Sequence, residues 1–458
     1  MKKKEICCIG AGYVGGPSMA VIAFKCPNIK VTIVDSNNDR IDAWNGPLNN
    51  LPIYEPGLKE IIEEVRGKNL FFSNQIENTI KNSEIIFIAV NTPTKVSGRG
   101  KGMAADLTNV KQCTESIAKL SESDKIIVEK STAPVGTGEQ IKSVLKQANK
   151  ENKFQVISNP EFLAEGTAIN DLINPDRVLI GGEKTSEGEK AVNIIADIYK
   201  NWVPENRIIK TNIWSSELSK LASNAFLAQR ISSVNSLSAL CEKTGGKIDE
   251  VSTAIGMDTR IGSKFLKSSV GFGGSCFKKD ILNLVYLCKY FDLEEVAQYW
   301  ENVIKINDFQ KRRFSKKIID SFKGIEKNPK ISILGWAFKK DTNDSRESAS
   351  IDIVKSLLEN GIGVNIFDPM VSKKNILYDL GKLTKTERMN VKISTSIDDS
   401  LKYSYGICIL TEWDEFKKID FKKVSSKLIK PILFIDGRNI IDLDRISDLF
   451  KNIMSLDT

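Results

Sequence analysis

The stretch GAGYVG, residues 10–15, decides the fold of the N-terminal part of this chain. It follows the apolar run 6–9 and opens a helical pattern. Gly10 allows a tight turn, Gly12 lets the backbone approach a pyrophosphate, and Gly15 lets the helix pack closely on the strand. The helix N-terminus carries a partial positive charge that favours phosphates. The stretch therefore predicts a dinucleotide-binding βαβ unit.

An acidic residue stands where such a unit holds the ribose. Asp35 lies 20 residues after Gly15, at the end of the next apolar run, 31–34. Its carboxylate can accept a hydrogen bond from a ribose 2′-hydroxyl and repels a 2′-phosphate, which favours NAD over NADP. The alternative is a tight glycine turn followed by a solvated Asp. Strand, glycines, helix and acid together argue against that alternative.

Strand and helix patterns alternate around this unit. Short apolar runs separated by helical segments indicate buried strands of a parallel, doubly wound sheet. Residues 216–242 contain neither Gly nor Pro and predict one long helix, and helical patterns continue over 281–291 and 293–314. The further strands are predicted at 85–90, 126–128, 156–157, 178–180, 331–334, 364–367, 407–410 and 432–435.

The predicted fold class is therefore α/β, with two Rossmann-like doubly wound domains joined by a central all-helical domain that contains one long helix. The expected domains are a dinucleotide-binding domain over 1–212, a central helical and dimerisation domain over 213–325, and a second Rossmann-like domain over 326–458.

Composition narrows the function. Of 458 residues, 41% are hydrophobic and 27% charged, which is globular composition, and no apolar run is long enough to span a membrane. The net charge of +8 is mild for this length, so we expect a small anionic substrate and neither a nucleic-acid nor a membrane partner. Eight cysteines without pair spacing and no secretion signal predict free thiols in the cytoplasm.

The chain contains no histidine. This excludes a histidine general base and a His-ligated metal, and we expect no metal site. Chemistry must rely on Cys, Lys, Asp, Glu, Thr or ordered water.

A second glycine loop, GGSCFKKD at residues 273–280, leads into a helix. It puts Cys276 near the helix N-terminus, where a thiolate is stabilised, and Asp280 one turn further on. For Cys276 alone, a buried structural cysteine is the favoured alternative. Lys220 and Asn224, four residues apart on the long helix, could project into one cleft or form an ordinary polar face.

Two further polar residues follow predicted strands. Thr132 and Glu161 stand at the carboxyl ends of strands, where open α/β sheets bind ligands. Local turn chemistry is the alternative for both.

Many blocks along nearly the whole chain resemble the nucleotide-sugar dehydrogenase family, and in particular its UDP-glucose 6-dehydrogenases. They include ICCIGAGYVGGP, LPIYEPGL, NPEFLAEGTAI, NPDRVLIGG, SSELSKLASNAFLAQRISS, SVGFGGSCFKKD, AFKKDTNDSRES and FIDGRN. The resemblance overturns the structural alternatives for Cys276, Lys220 and Asn224. It also assigns the UDP-sugar to the domain over 326–458.

The family implies an NAD-dependent, four-electron oxidation of the C6 alcohol of UDP-glucose to UDP-glucuronate. Cys276 would attack the aldehyde, giving a thiohemiacetal and then a thioester. Glu161 would activate the hydrolytic water. Lys220 and Asn224 would stabilise negative charge on oxygen, while Thr132 and Asp280 would order a water.

The resemblance also implies binding residues, and a homo-oligomer that is a dimer or an assembly of dimers. Arg260 would reach the substrate of a neighbouring subunit. The implied cofactor residues are Gly10, Gly12, Tyr13, Val14, Gly15, Asp35, Arg40, Val90, Thr132, Glu165 and Arg346. The implied substrate residues are Phe162, Leu163, Ala164, Glu165, Lys220, Asn224, Arg260, Phe265, Lys267, Gly273, Phe338, Lys339 and Arg438.

Two alternatives stay open at this point. A related enzyme of the family would oxidise GDP-mannose or UDP-N-acetylmannosamine with the same cysteine, lysine and fold. A protein of another class would be a non-catalytic dinucleotide-binding scaffold, against which the joint presence of Cys276, Lys220, Asp280 and Glu161 argues.

Overall fold

The computed structural model describes residues 4–131, 133–148, 153–325, 329–429 and 433–456. The chain forms two compact units. The first consists of Met1–Ser223 with Leu282–Leu287, and the second of Asn224–Ile281 with Cys288–Thr458.

The first unit contains an eight-stranded sheet in the order β3-β2-β1-β4-β5-β6-β7-β8. Its strands are β1 Glu5–Ile9, β2 Lys30–Val34, β3 Leu70–Ser73, β4 Ile85–Ile88, β5 Lys125–Glu129, β6 Phe154–Ser158, β7 Val178–Gly182 and β8 Ile208–Asn212. The pairs are parallel except β6 with β7, which meet antiparallel at Ser158 and Gly181. The predicted parallel, doubly wound sheet thus contains one antiparallel pair.

Helices cover both faces of this sheet. Successive residues of β1 point to opposite faces, so Cys8 belongs to one apolar cluster and Cys7 to the other. Helices α4, α5 and α6 pack on the Cys7 side. The helices of the unit are α1 Gly15–Lys25, α2 Asn38–Asn45, α3 Leu58–Val65, α4 Ile76–Asn82, α5 Thr108–Leu120, α6 Thr137–Gln147, α7 Ala168–Ile173 and α8 Ser186–Tyr199, with short 3₁₀ turns at Leu48–Asn50 and Glu205–Arg207.

The central region is helical, as predicted. The long helix α9, Ile213–Thr244, has 32 residues and begins in the first unit and ends in the second. It ends where Gly245 takes the left-handed conformation, with φ at +79°, and donates to the carbonyl of Cys241. The other helices of this region are α10 Ile248–Gly256, α11 Phe277–Tyr290 and α12 Glu294–Ser321.

A second sheet lies in the second unit, in the order β11-β10-β9-β12-β13-β14, with all pairs parallel. Its strands are β9 Lys330–Leu334, β10 Gly363–Phe367, β11 Val391–Ile393, β12 Gly406–Ile409, β13 Leu433–Asp436 and β14 Asn452–Met454. The remaining helices are α13 Ala349–Glu359, α14 Lys373–Leu380, α15 Lys385–Met389, α16 Ile397–Leu401, α17 Asp414–Lys417 and α18 Phe421–Ser425, with a 3₁₀ turn at Leu443–Ile446.

The predicted fold class is confirmed: two doubly wound α/β sheets, parallel except for the pair β6 and β7, are separated in sequence by a helical region. No helix within the described part of the chain is both long and apolar enough to cross a bilayer.

Candidate active site

The glycine stretch between β1 and α1 contains two glycines that packing requires and one that it does not. Gly10 has a φ of +112°, and a Cβ there would lie 2.4 Å from the carbonyl oxygen of Ala89. A Cβ on Gly15 would lie 2.0 Å from the carbonyl oxygen of Gly10. A Cβ on Gly12 would meet no atom within 4 Å. The space beside Gly12 is therefore open to a ligand.

The carboxylate of Asp35 is fixed at the end of β2. Its Oδ2 accepts from the backbone N–H of Ala11 at 2.9 Å and from Nη1 of Arg40 at 3.0 Å, and its Oδ1 accepts from Asn37 N at 2.9 Å. Burial alone would raise the pKa of Asp35, but these hydrogen bonds and the charge of Arg40 outweigh it and lower the pKa. Asp35 is therefore an anion beside the glycine stretch.

The first unit also holds a buried ion pair. Nζ of Lys220 lies 3.8 Å from Oε1 of Glu161, and their side chains are 6% and 3% exposed. Two cations lie near the ring of Phe162: Nζ of Lys220 is 5.5 Å and Cζ of Arg177 is 3.8 Å from the ring centroid. Burying both partners of an ion pair keeps each charge compensated in a low-dielectric region. Arg177 was not predicted, although it stands in the NPDRVLIGG block.

The segment that contains Leu163, Ala164 and Glu165 is held through its backbone. Ala164 N donates to Oδ2 of Asp171 at 2.9 Å. The buried carboxylate of Glu55 accepts from Gly166 N at 2.8 Å and from Ala168 N at 3.2 Å. Glu55 belongs to the LPIYEPGL block, but nothing in its sequence context marked it as the residue that fixes this segment.

In the second unit, Cys276 directly precedes α11, and the backbone N–H of Asp280 donates to its carbonyl at 2.8 Å. The Cys276 side chain is partly buried, with its Sγ 3.6 Å from Oγ of Ser275. Asp280 is 1% exposed and accepts a 2.6 Å hydrogen bond from Nδ2 of Asn224. A thiol at a helix N-terminus with polar groups within one turn is suited to nucleophilic chemistry.

The glycine loop before Cys276 packs against the residues after β9. A Cβ on Gly273 would lie 2.9 Å from Cβ of Phe338, and Gly274 N donates to the carbonyl of Arg346 at 2.8 Å. Nη2 of Arg438 donates to the Phe338 carbonyl at 2.8 Å, and Nζ of Lys339 lies 5.8 Å from the Phe338 ring centroid. These predicted substrate residues are therefore close together.

Other predicted residues lie apart or pair locally. Arg260 is 87% exposed in its side chain and forms an ion pair with Asp258 at 2.6 Å. Phe265 is exposed and has a φ of +61°, which is strained for a bulky side chain, and Lys267 is exposed. Arg346 pairs with Asp344 at 2.6 Å.

The remaining predicted residues belong to the first unit. Tyr13 and Val14 are half-buried between β1 and α1, and Val90 follows β4 and accepts from Ser131 Oγ at 2.8 Å. Thr132 lies outside the described residues. No cluster of three potential metal ligands occurs among the residues described.

Comparison with known proteins shows that the chain matches one protein family along most of its length. The NAD-binding, central and UDP-binding domains of the UDP-glucose/GDP-mannose dehydrogenase family match residues 4–203, 214–309 and 332–443. The chain is 54% identical over 458 residues to UDP-glucose 6-dehydrogenase 3 of Arabidopsis thaliana, covering 97% of this chain and 95% of the relative. It is 55% identical over 444 residues to UDP-glucose 6-dehydrogenase of Bos taurus, covering 96% and 90%.

The fold is similar to a solved structure of a UDP-glucose dehydrogenase from the hyperthermophilic archaeon Pyrobaculum islandicum. The TM-score is 0.85 at 28% identity, and the match covers 99% of this chain and 98% of that one.

Proposed function

Because this chain belongs to the UDP-glucose/GDP-mannose dehydrogenase family, we propose that it oxidises UDP-glucose to UDP-glucuronate with NAD. The observation that carries the proposal is the identity of 54–55% over 96–97% of the chain to UDP-glucose 6-dehydrogenases. GDP-mannose and UDP-N-acetylmannosamine remain the alternative substrates.

The residues of the first unit are suited to NAD. The open position beside Gly12 admits a pyrophosphate, and the first turn of α1, which is Gly-Gly-Pro-Ser, places no acidic side chain against it. The anionic Asp35 favours a ribose hydroxyl and disfavours a 2′-phosphate. NAD, when bound, accepts the hydride in each oxidation. Gly10, Gly12, Gly15 and Asp35 would hold it.

Cys276 is the proposed nucleophile. Attack of its thiolate on the C6 aldehyde forms a C–S bond, and the thiohemiacetal becomes a thioester in the second oxidation. Water then replaces the sulfur, releasing the carboxylate and regenerating the thiol. The covalent link explains why no aldehyde would leave between the two oxidations.

The other polar residues take supporting roles. Glu161 would take a proton from the hydrolytic water, and its buried pairing with Lys220 keeps both charges in place. Lys220 and Asn224 would stabilise charge that develops on the substrate oxygen. Asp280, held by Asn224, would orient a water together with Thr132.

The UDP-sugar is proposed to bind to Phe338, Lys339 and Arg438. The glycine loop before Cys276 packs closely against Phe338, and this packing requires glycine at position 273. A guanidinium and an ammonium suit a diphosphate because charge-assisted hydrogen bonds to phosphate oxygens are strong.

We also propose a cytoplasmic homo-oligomer. In the second unit, α9 exposes Phe226 and Leu240, and α12 exposes Val296 and Tyr299, with exposed fractions between 44% and 59%. Large apolar side chains in such number on two helices indicate a surface that a second copy would cover. Arg260, exposed on the loop after α10, would act in the neighbouring subunit's site.

The test is NADH formation from UDP-glucose, with GDP-mannose and UDP-N-acetylmannosamine measured beside it. Two NADH per UDP-glucose and no free aldehyde are expected. Cys276→Ala should abolish formation of the acid while NAD binding persists. Cys288→Ala, which removes a buried thiol from the helix that follows Cys276, is the matched control and should keep the activity. Wild-type rates from Cys276→Ala would refute the covalent mechanism.

A further inference from the structure

A buried amide on α12 holds the loop that leads to Cys276. Asn307 is 3% exposed. Its Oδ1 accepts from Phe272 N at 2.8 Å, and its Nδ2 donates to the carbonyl oxygen of Phe272 at 3.1 Å. A carboxamide carries an acceptor and a donor side by side, so it can pair with both backbone groups of one residue. Asn307 therefore pairs with Phe272 as a neighbouring strand would.

Two further amides hold the start of the same loop, residues 269–276, which we call the cysteine loop. Oδ1 of Asn235, on α9, accepts from Ser269 N at 2.9 Å, and Nε2 of Gln310, on α12, donates to the Ser269 carbonyl oxygen at 2.9 Å. Both amides are buried. Because the loop belongs to neither a helix nor a strand, side chains supply partners for its buried backbone groups.

The cysteine loop approaches α12 closely at a glycine. Gly271 has a φ of +126°, in the left-handed region that favours glycine. A Cβ there would lie 2.9 Å from Oδ1 of Asn307 and 3.5 Å from Cε of Lys311. Glycine at this position thus lets the backbone come near enough to α12 for Asn307 to form both hydrogen bonds.

The position of Phe272 is linked to that of Cys276. The ring of Phe272 meets the ring of Phe277 edge to face, with centroids 5.7 Å apart and an interplanar angle of 84°. Phe277 is the first residue of α11 and directly follows Cys276. Between them, Gly274 N donates to the carbonyl of Arg346 at 2.8 Å. A displacement of Phe272 would therefore displace the start of α11 and the thiol beside it.

We propose that Asn307 is a positioning residue for the dehydrogenase reaction: its amide fixes Phe272, and through Phe272 it holds the Cys276 thiol where the C6 aldehyde is attacked. The proposal rests on the proposed function. It concerns the second oxidation, because the thiol adds to the aldehyde that the first oxidation produces. A displacement of about 1 Å in a reacting group can cost about 100-fold in rate.

The first experiment measures the products with semicarbazide present as an aldehyde trap. Asn307→Leu replaces the amide by an apolar group of similar shape and removes both hydrogen bonds to Phe272. Formation of the acid should fall about 10- to 100-fold, and trapped aldehyde should appear, so that NADH per UDP-glucose falls from two towards one. The KM for NAD should stay within about threefold of the wild type, because the proposed dinucleotide residues Gly10, Gly12, Gly15 and Asp35 belong to the first unit.

A merely structural role of Asn307 predicts a different result. A variant that is only less stable contains fewer folded molecules, but each of them completes both oxidations. Two NADH per UDP-glucose and no trapped aldehyde would then be found at a lower total rate. That result, or formation of the acid by Asn307→Leu at the wild-type rate, would overturn the proposal.

Asn365→Leu is the matched control. Asn365 is a buried amide on β10 that also binds the backbone of a distant segment, since its Nδ2 donates to the carbonyl oxygens of Ser400 at 2.9 Å and Lys402 at 2.8 Å. The same substitution there should lower the melting temperature and keep two NADH per UDP-glucose without trapped aldehyde. Aldehyde release by this control would show that general destabilisation is sufficient, and would overturn the proposal.

A second variant guards against misfolding of Asn307→Leu. Asn307→Asp keeps an acceptor for Phe272 N and, when ionised, loses the donor to the Phe272 carbonyl oxygen. The side chain of Lys311 passes the same glycine and would offset the new charge. Asn307→Asp should also release trapped aldehyde, and its absence would contradict the proposal.

Hydrogen exchange tests the anchoring without any substrate. In the wild type, the amide of Phe272 should exchange at least as slowly as that of Asp280, which donates to the Cys276 carbonyl, and faster exchange would refute the anchoring role. In Asn307→Asp, exchange in the cysteine loop should be about tenfold faster, with β9 unchanged. If the wild type does not oxidise UDP-glucose at all, the proposed function fails, and exchange still decides whether Asn307 holds the loop.

Discussion

In the glycine stretch, Gly15 is needed for packing, whereas Gly12 leaves space for the cofactor. Alanine substitution at each of the two positions tests this difference. A methyl group on Gly15 would lie 2.0 Å from the carbonyl oxygen of Gly10 and 3.2 Å from Sγ of Cys8. Because the nearest atom belongs to the backbone, the helix must move, and overpacking of this kind costs about 1–3 kcal/mol of unfolding free energy. Gly15→Ala should therefore be visibly less stable in thermal melts.

Gly12→Ala should behave in the opposite way. Its methyl group meets no protein atom within 4 Å, and the φ of Gly12 lies outside the left-handed region, so we expect unchanged or slightly higher stability, by about 0.4–1 kcal/mol. The methyl would instead occupy the space open to the pyrophosphate. Loss of one charge-assisted hydrogen bond is worth about 1.5–3 kcal/mol, which raises the Kd for NAD about 10- to 150-fold.

The assay is calorimetric titration with NAD, run beside differential scanning calorimetry on the same samples. The expected pattern for Gly12→Ala is a wild-type melting temperature with weakened NAD binding. If Gly12→Ala binds NAD with the wild-type Kd, the pyrophosphate does not pass this residue. If Gly12→Ala melts as early as Gly15→Ala, the space beside Gly12 is not open.

Three further predictions concern cofactor choice, assembly and pH. Asp35→Ser combined with Ser36→Arg should lower the ratio of kcat/KM for NAD to kcat/KM for NADP at least about tenfold, because a charge-assisted hydrogen bond to NAD is lost and the charge that repels a 2′-phosphate is removed. An unchanged ratio would contradict the role of Asp35. Mixed and reassembled Arg260→Ala and Cys276→Ala proteins should regain about a quarter of wild-type activity, since half of randomly paired dimers contain one intact site; no recovery after confirmed subunit exchange would mean that Arg260 does not act in trans. The raised pKa of Glu217 means that the folded chain holds this proton more tightly than the unfolded chain, so its contribution to stability is full below about pH 4.5 and is lost as pH rises through about 7. Glu217→Gln should remove up to about 3 kcal/mol of that decline in denaturant titrations, and an unchanged pH slope would show that Glu217 is not the group responsible.

Strands with both faces buried were predictable from the sequence. β4, with the sequence IIFI, is fully buried and was predicted as part of the apolar run 85–90. The strands that were missed are the four at the edges of the two sheets, and they lack this signal. β3, with the sequence LFFS, alternates buried and half-buried residues. β8 has the burial pattern of an exposed strand at the sheet edge, and β11 and β14 are half-buried edges of three residues each. An edge strand is fixed by its hydrogen bonds to a single neighbour, and these bonds leave no pattern of their own in the sequence.

The candidate site residues also divide into those that a local sequence pattern predicts and those that it does not. Gly12 and Asp35 stand at fixed spacings from glycines and strands, so local pattern predicts them as cofactor residues. Cys276 also follows glycines, but local pattern alone favoured a structural cysteine there, and only the family resemblance predicted the nucleophile. Phe338 and Arg438 are 100 residues apart and meet only through the sheet order, in which β9 and β12 pair next to β13. Spacing along the chain cannot predict such a contact, and in the sequence only the family resemblance named both residues.

The roles of two buried glutamates could not be predicted from sequence patterns. Glu55 and Glu217 each bind two backbone N–H groups of a segment far away in sequence. Because their partners are main-chain groups, no complementary side chain marks the pair, and in the sequence each resembles a solvated acid. The chain has no histidine, so a side chain that ionises near pH 7 must be one whose pKa is shifted by its surroundings. Burial moves Glu217 into that range while the motif residue Asp35 is moved away from it. The folding stability of this chain is therefore expected to depend on pH near 7 through a buried acid that holds the start of a helix.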